Sequence, residues 1–362
     1  MAEQQLQRGR IRELDGWRGV SILLVLLYHS VIYAFPAVAA RSKTASRMAT
    51  DLGELGVQIF FVISGFVITR LLIKEESQTG AISLKAFYIR RIFRILPVFF
   101  LLVSTVALLG ELGLTPISLK MVLLSALFLR DADISRDWFL GHTWSLAVEE
   151  QFYILFPLFW VFASPRRRPA ILGVSLLCFL IWGVFSEWNL LTGLIFRSAI
   201  LGFGCINLGV LLAVFETRVR GLMARIPPLV PLLAAAFLFL GPVRNTPLGR
   251  ACFHPLVPFC IGLVLAYTFC RPGWASSLLK SPVLQWIGLV SYSGYLWQSL
   301  FTGHVSFYGS PAIASGFHLA LPCLILVAAI SYYGVERPFT RLGRRFSGKG
   351  NSTKSASELV PS

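Results

Sequence analysis

A histidine lies well inside the first apolar segment of the chain, the stretch RGVSILLVLLYHS from Arg18 to Ser30. Eleven residues of α-helix turn through about 1100°, so Arg18 and His29 share one helix face about 16 Å apart. Asp15 lies close to the same stripe, one turn before Arg18. Because an imidazole titrates near neutral pH, this spacing favours a histidine that transfers protons. A histidine that only hydrogen-bonds a neighbouring helix is the alternative.

Arginines open the third apolar segment, in FYIRRIFRILP at residues 87–97. Arg91 and Arg94 are one helical turn apart, about 4.5 Å along the axis, whereas Arg90 points elsewhere. Guanidinium groups bind phosphate oxygens in a bidentate manner, so the pair predicts a site for a phosphorylated ligand that approaches from the cytoplasm. The same residues also fit a plain topology signal.

Two adjacent carboxylates lie in an otherwise apolar helix, in HTWSLAVEEQFYILFP at residues 142–157. Glu149 and Glu150 project about 100° apart, so at most one faces a partner squarely, and Tyr153 is one turn on. One interpretation is an interfacial pair near a helix start. The other is a carboxylate that orients an imidazole or receives a proton.

Small residues interrupt the second apolar segment, GVQIFFVISGFVITRLL at residues 56–72. Ser64 and Gly65 lie in the middle of this predicted span. Small residues at such positions allow close helix packing in membranes. They also suit a narrow lane for a thin ligand, and the sequence leaves both interpretations open.

Composition determines which elements position these residues. Of 362 residues, 56% are hydrophobic and 14% are charged, and the mean hydropathy is +0.71, which excludes an ordinary soluble domain. Apolar runs of about 18 or more residues are long enough to cross a bilayer. We predict an all-α polytopic transmembrane helix bundle, with about ten spans near residues 19–37, 55–73, 92–110, 144–163, 170–186, 193–215, 229–243, 252–270, 283–302 and 315–335.

The segment at 117–129 is too short to cross and follows Pro116, so we interpret it as interfacial or re-entrant. Ten spans with both termini cytoplasmic place about 24 of the 33 basic residues on the cytoplasmic side, as the positive-inside rule favours. Loops that face anionic lipid explain most of the net charge of +16, so we expect the lipid bilayer as a partner and no nucleic acid.

Neither a cleaved leader nor a metal centre is predicted. The start of the chain resembles a signal peptide that ends at AVAA, but it carries His29 and many spans follow, so we expect an uncleaved first helix. The six cysteines have no CxxC spacing and lie in or near apolar spans, where they act as small apolar side chains.

Four motifs, in this order and spacing, resemble the membrane acyltransferase 3 family: RELDGWRGVSILLVLLYHS, GVQIFFVISGFVITRLL, FYIRRIFRILP and WSLAVEEQFYILFP. All four lie in the first 160 residues or so, and SYSGYLWQ (291–298) and VERPF (335–339) are weaker matches. The resemblance implies a multi-pass enzyme of the cell (inner) membrane. Such an enzyme moves an acyl group, commonly acetyl, from acyl-CoA to a hydroxyl of a sugar or related acceptor.

The resemblance also assigns roles. His29 matches the essential histidine of the family and Arg18 its basic partner eleven positions earlier, while Arg91 and Arg94 match an Arg-x-x-Arg pair for which donor binding is the usual suggestion. The roles of the remaining motif positions are less settled: Asp15, Ser64, Glu149 and Glu150. We expect an acyltransferase domain over residues 1–340 and a basic, partly disordered cytoplasmic tail over 341–362.

These roles combine into one expected mechanism without a metal. Phosphates of acyl-CoA (acetyl-CoA) rest on Arg91 and Arg94, with Arg18 and Arg90 nearby, and the pantetheine arm carries the thioester inward. His29 then deprotonates a hydroxyl of a glycan or other acceptor from the outer side. A glutamate of the 149–150 pair holds the histidine tautomer. Direct transfer and an acyl-histidine intermediate both remain open.

Two other classes of protein share some of these features. A secondary transporter of a polar or anionic small molecule also carries intramembrane His and Glu, but it is expected to show an internal repeat, and none stands out. A non-catalytic sensor or scaffold does not need this arrangement of arginines and histidine. The loops do not identify the acceptor.

Overall fold

The computed structural model describes residues 10–29, 43–132, 137–187, 197–239, 247–302 and 317–348. Within these ranges the protein is helical and contains no β-strand, so the all-α prediction is confirmed for this part of the chain. The α-helices are α1 Arg12–His29, α2 Lys43–Thr79, α3 Leu84–Glu111, α4 Leu119–Ala126, α5 Thr143–Phe162, α6 Arg168–Glu187, α7 Arg197–Val214, α8 Glu216–Met223, α9 Leu229–Leu238, α10 Pro247–Cys270, α11 Trp274–Leu279, α12 Pro282–Trp297, α13 Phe317–Ser331 and α14 Arg337–Phe346.

A helix overlaps each of the ten predicted spans, but not every helix is long and apolar enough to cross a bilayer alone. Among the described residues four are: Thr50–Thr79, Leu84–Glu111, Thr143–Phe162 and Ala320–Phe346. A fifth candidate is a helix pair, α7 and α8, bent by 85°. The protein is therefore a membrane protein, and several of its helices are long and apolar enough to span a bilayer. The count of ten stays a prediction, and residues 30–37 of the first predicted span lie outside the described residues.

The segment predicted to be interfacial or re-entrant holds only a short helix. Helix α4 has eight residues, which extend about 12 Å, and a 3₁₀ turn over Arg130–Ala132 follows it. The Ser118 side chain accepts a hydrogen bond from the Met121 amide and so begins the helix. This helix is too short to cross the hydrocarbon core.

The directions of the helices define two ends of the bundle. Helix α12 runs parallel to α1, because Gly288 packs on the Asp15 carbonyl and Gly294 packs on Ile22. Helix α2 runs antiparallel to α1, because Gly53 packs on Tyr28 and Gly56, further along α2, packs on the earlier Ser21 carbonyl. The last turns of α1 and α12 therefore share one end, here called the His29 end. The opposite end, where α2 finishes, is called the Glu76 end.

Glycines bring the backbones of α2 and α7 into direct contact. A Cβ at Gly65 would overlap the Ile206 carbonyl oxygen, and a Cβ at Gly209 would overlap the Val62 carbonyl oxygen. Small residues promote such packing in membranes, where van der Waals contact drives helix association. Gly65 thus serves helix packing, while Ser64, about 100° around the helix, faces the bundle interior.

The C-terminal helix continues beyond the predicted domain boundary at residue 340. A π-helical turn over Tyr332–Glu336 joins α13 to α14. Helix α14 packs on α3, where Gly343 meets the Phe93 side chain and the Phe93 and Phe346 ring centroids are 5.6 Å apart. Residues 349–362 of the predicted tail lie outside the described residues.

The close approach of α2 and α7 gives a testable prediction. Gly65→Ala or Gly209→Ala forces the two backbones apart and should destabilise the folded protein by about 1–3 kcal/mol. The matched control is Gly173→Ala in α6, where an added Cβ meets nothing within 4 Å. Thermal unfolding in detergent measures both; equal melting temperatures for Gly65→Ala and Gly173→Ala would contradict the packing described.

Candidate active site

Five helices, α1, α2, α3, α5 and α12, enclose a cavity of about 100 Å³ in the middle of the bundle. Its lining comes from segments that lie far apart in the sequence, so only the folded chain assembles it. Six of the ten site residues predicted from the sequence line this cavity. The polar lining residues are Arg18, Ser64, Arg91, Arg94, Ser145, Glu149, Tyr153, Ser291, Tyr292 and Tyr295.

The arginines of the cavity have few partners within the protein. The Arg91 guanidinium lies over the Tyr153 ring, 4.9 Å from its centroid, and Arg18 lies 3.4 Å from the Ser291 hydroxyl. Among the described residues, neither Arg91 nor Arg94 forms a salt bridge within 4.0 Å. Three guanidinium groups therefore share the cavity with one carboxylate, Glu149. This excess of positive charge favours an anionic ligand.

A chain of hydrogen bonds fixes the one carboxylate of the cavity. The Tyr153 hydroxyl donates to Ser64 Oγ over 3.1 Å, and Ser64 Oγ donates to Glu149 Oε1 over 2.5 Å. Helix α5 supplies Glu149 and Tyr153 one turn apart, as the sequence predicts. Glu150 is buried but does not line the cavity, and its Oε1 has no hydrogen-bond partner among the described residues. Of the adjacent pair, Glu149 is thus the one that faces the cavity.

Besides Glu150 and His29, two predicted site residues, Arg90 and Asp15, lie outside the cavity. Arg90 pairs with Glu75 at the end of α2, with 3.1 Å between Nη2 and Oε2. Asp15 accepts a hydrogen bond from Arg10 Nε over 2.6 Å at the start of α1. Both residues therefore form ion pairs near helix ends and do not line the cavity, although Asp15 is close enough to Arg18 to interact with it electrostatically.

His29 lies beyond the cavity, as the last described residue of α1. Its Nδ1 is 2.8 Å from the Val25 carbonyl oxygen, and because a carbonyl only accepts hydrogen bonds, we assign the proton to Nδ1. Nε2 is then the basic nitrogen of the ring. The carbonyl of Val25, and neither glutamate, holds this tautomer. The His29 ring also contacts Trp138, with 5.5 Å between the centroids.

A second group of residues, which the sequence prediction missed, links the cavity to the His29 end. Tyr295 and Ser145 both line the cavity, and their side-chain oxygens are 2.6 Å apart. The Tyr295 hydroxyl donates to the His142 carbonyl over 2.8 Å, and the His142 ring packs edge-on against Tyr295. The motifs HTWS and SYSGYLWQ contain these residues. Ser145 and Tyr295 are 150 positions apart in the sequence, so helical spacing within either motif does not predict their contact.

The described residues contain no group of three or more His, Cys, Asp or Glu side chains placed to hold a metal ion. The site is built from guanidinium, hydroxyl, carboxylate and imidazole groups. These groups bind anions, hold hydroxyls and transfer protons.

Comparison with known proteins gives one family and several relatives. A family model described as an acyltransferase domain matches residues 11–335. The protein named "Putative O-acetyltransferase SACOL0978" of Staphylococcus aureus strain COL is 28% identical over 369 residues, which cover 91% of this chain and 57% of that protein. The O-acetyltransferase OatA of S. aureus strain NCTC 8325 / PS 47 is 33% identical over 174 residues, 43% of this chain and 26% of its own length. The chain thus spans little more than half the length of the first of these relatives. No solved structure gives a significant match.

Proposed function

The chain belongs to the acyltransferase 3 family, and on that premise we propose that it is a membrane O-acyltransferase that uses acyl-CoA as donor. Both relatives are named as O-acetyltransferases, which supports acetyl as the acyl group. We propose a hydroxyl of a sugar or cell-surface glycan as the acceptor. Membership of an enzyme family favours this function over the secondary transporter.

The observation that carries the proposal is the cavity with three guanidinium groups and one carboxylate. Acyl-CoA combines several phosphates with a long, thin pantetheine arm. Arg91 and Arg94 have no salt-bridge partner among the described residues, so their charges are available for these phosphates. The cavity volume of about 100 Å³ is far below the ~300–1,000 Å³ of pockets that hold whole drug-sized ligands. We therefore place only part of the narrow arm inside it and the nucleotide at its entrance.

The route from the arginines to His29 follows the axis of α1. Arg18 and His29 belong to one continuous helix, so about 16 Å of axial rise separates them. Ser145 and Tyr295 line the cavity, and Tyr295 is hydrogen-bonded to the segment 137–142 that contacts His29. An extended pantetheine arm can cover this distance, and it would bring the thioester toward the imidazole.

The proposed reaction is a direct transfer. His29 Nε2 accepts the proton of the acceptor hydroxyl while the hydroxyl oxygen forms a bond to the thioester carbonyl carbon. The tetrahedral intermediate then breaks its carbon–sulfur bond, and the CoA thiolate takes the proton from the imidazolium. The hydrogen bond from Nδ1 to Val25 keeps Nε2 ready to accept a proton in each cycle.

The proposed topology puts the Glu76 end in the cytoplasm and both termini on that side. Helix α14 supports this orientation, because its basic residues Arg341, Arg344 and Arg345 lie beside the start of α3. Acyl-CoA then approaches the arginines from the cytoplasm, and the acceptor approaches His29 from the outer side of the cell (inner) membrane.

The donor assignment predicts a specific loss of affinity. The double variant Arg91→Ala/Arg94→Ala should weaken CoA binding at least tenfold, because charge-assisted hydrogen bonds contribute about 1.5–3 kcal/mol each. The control is Arg90→Ala, the neighbouring arginine that pairs with Glu75. Isothermal titration of the purified proteins with CoA compares them. Equal affinity in the double variant and the wild type would contradict the assignment.

The assignment of His29 predicts a loss of turnover without loss of donor binding. His29→Gln should reduce acetyl transfer about 10²–10⁴-fold, since that is the usual contribution of a general base. CoA affinity should stay within about threefold, because His29 does not line the cavity. Thiol release from acetyl-CoA measures turnover. A variant with wild-type turnover would remove His29 from the mechanism.

A further inference from the structure

The segment 137–142 is bonded, beside His29, to the end of α12 and to the 3₁₀ turn Gln298–Leu300 that follows it. Trp138 Nε1 donates to the Ser299 carbonyl over 2.7 Å, and Ser299 Oγ donates to the Phe139 carbonyl over 2.8 Å. The hydrogen bond from Tyr295 to the His142 carbonyl adds a third connection. These contacts hold the two segments in one fixed arrangement between the cavity and His29.

Three buried side chains in this arrangement have polar atoms without hydrogen-bond partners among the described residues: Trp297 at its indole nitrogen, and His142 and Gln298 at both of their polar atoms. His142 is 8% exposed and neither ring nitrogen is bonded, and Gln298 is 0% exposed and neither amide atom is bonded. The Leu296 carbonyl lies beside the imidazole but outside hydrogen-bond geometry. Native proteins satisfy nearly all of their buried polar groups, so these two residues, one packed on Tyr295 and the other three positions after it, require an explanation.

Position connects both residues to the proposed reaction. The His142 ring packs on Tyr295, a cavity residue, and lies close enough to His29 to interact with it electrostatically. Gln298 follows Tyr295 by three residues, about one helical turn, so both side chains project from the same side of this helical segment. Trp138, which contacts the His29 ring, is bonded to the neighbouring Ser299.

We propose that His142 and Gln298 form the acceptor-binding site and that they bind a hydroxyl group adjacent to the one that is acylated. The proposal rests on the proposed function and names the acceptor class: a molecule with vicinal hydroxyls, such as a sugar ring. A hydroxyl both donates and accepts hydrogen bonds. A neutral imidazole and a carboxamide each offer a donor and an acceptor, so the pair matches a diol better than an isolated alcohol.

The test compares two acceptors that differ by one hydroxyl, cis-1,2-cyclohexanediol and cyclohexanol, with acetyl-CoA as donor. The wild type should acetylate the diol with at least tenfold higher kcat/KM. Gln298→Met, which keeps the side-chain length, should reduce this preference to less than threefold by raising the KM of the diol. His142→Phe, which keeps a ring against Tyr295, should do the same.

Gln285 provides a matched control on α12, the helix that ends just before Gln298. Its amide donates to the carbonyls of Arg12 and Leu279 over 2.7 and 2.8 Å, at the opposite end of α12. Gln285→Met should lower the melting temperature and keep the diol preference. Gln298→Met should lose the preference without a lower melting temperature, because it removes amide groups that have no partners.

Three results would overturn the proposal. The first is an unchanged diol preference in Gln298→Met and His142→Phe. The second is a melting temperature that falls in both variants as far as in Gln285→Met, since such a fall indicates a structural role for the two residues. The third is a wild type that binds acetyl-CoA yet shows no diol preference, which leaves the donor assignment intact. A wild type that neither binds acetyl-CoA nor releases thiol from it would instead contradict the proposed function itself.

Discussion

The presence of three arginines in the middle of an apolar helix bundle is the constraint on which the rest of the structure depends. An ionised side chain at membrane depth costs a few kcal/mol or more unless polar groups surround it. Here Ser291 lies beside Arg18, the Tyr153 ring lies beneath Arg91, and Glu149 supplies one negative charge. Glu336, on the π-helical turn, accepts a hydrogen bond from Ser293 and interacts electrostatically with Arg94. These groups lower the free-energy cost of burying the ionised arginines. None of them forms a salt bridge with Arg91 or Arg94, so both remain available for an anionic donor.

The scaffold concentrates polar groups because its helices pack closely. Gly65 and Gly209 let the backbones of α2 and α7 touch, and that contact fixes the rotation of α2 with Ser64 toward the interior. Along α12, Ser291 and Tyr295 face the cavity and Gln298 follows one turn later. Polar surface thus continues from the guanidinium groups toward the imidazole, while apolar side chains cover the outside of the bundle.

Helical periodicity made much of the site predictable, because it relates residues close in sequence. It placed Arg18 and His29 on one face, separated Arg91 and Arg94 from Arg90, and showed that only one residue of the 149–150 pair faces a given partner. Contacts across the bundle carry no such local signal. The choice of Glu149, the pairing of Arg90 with Glu75, and the contact between His142 and Tyr295 depend on how the helices pack. We expected a glutamate to accept the hydrogen bond from His29 Nδ1. The Val25 carbonyl accepts it instead, because it belongs to the same helix and lies four residues before His29.

The measurement that tests the central claim most directly is an experimental structure of the full chain with acetyl-CoA bound. The phosphates should lie within hydrogen-bond distance of Arg91 and Arg94. The pantetheine arm should pass Ser64 and Tyr295. The thioester carbonyl carbon should lie close enough to His29 Nε2 for a single acceptor hydroxyl to contact both. A nucleotide bound away from these arginines, or an unbroken wall of side chains between their cavity and His29 with the donor in place, would contradict it.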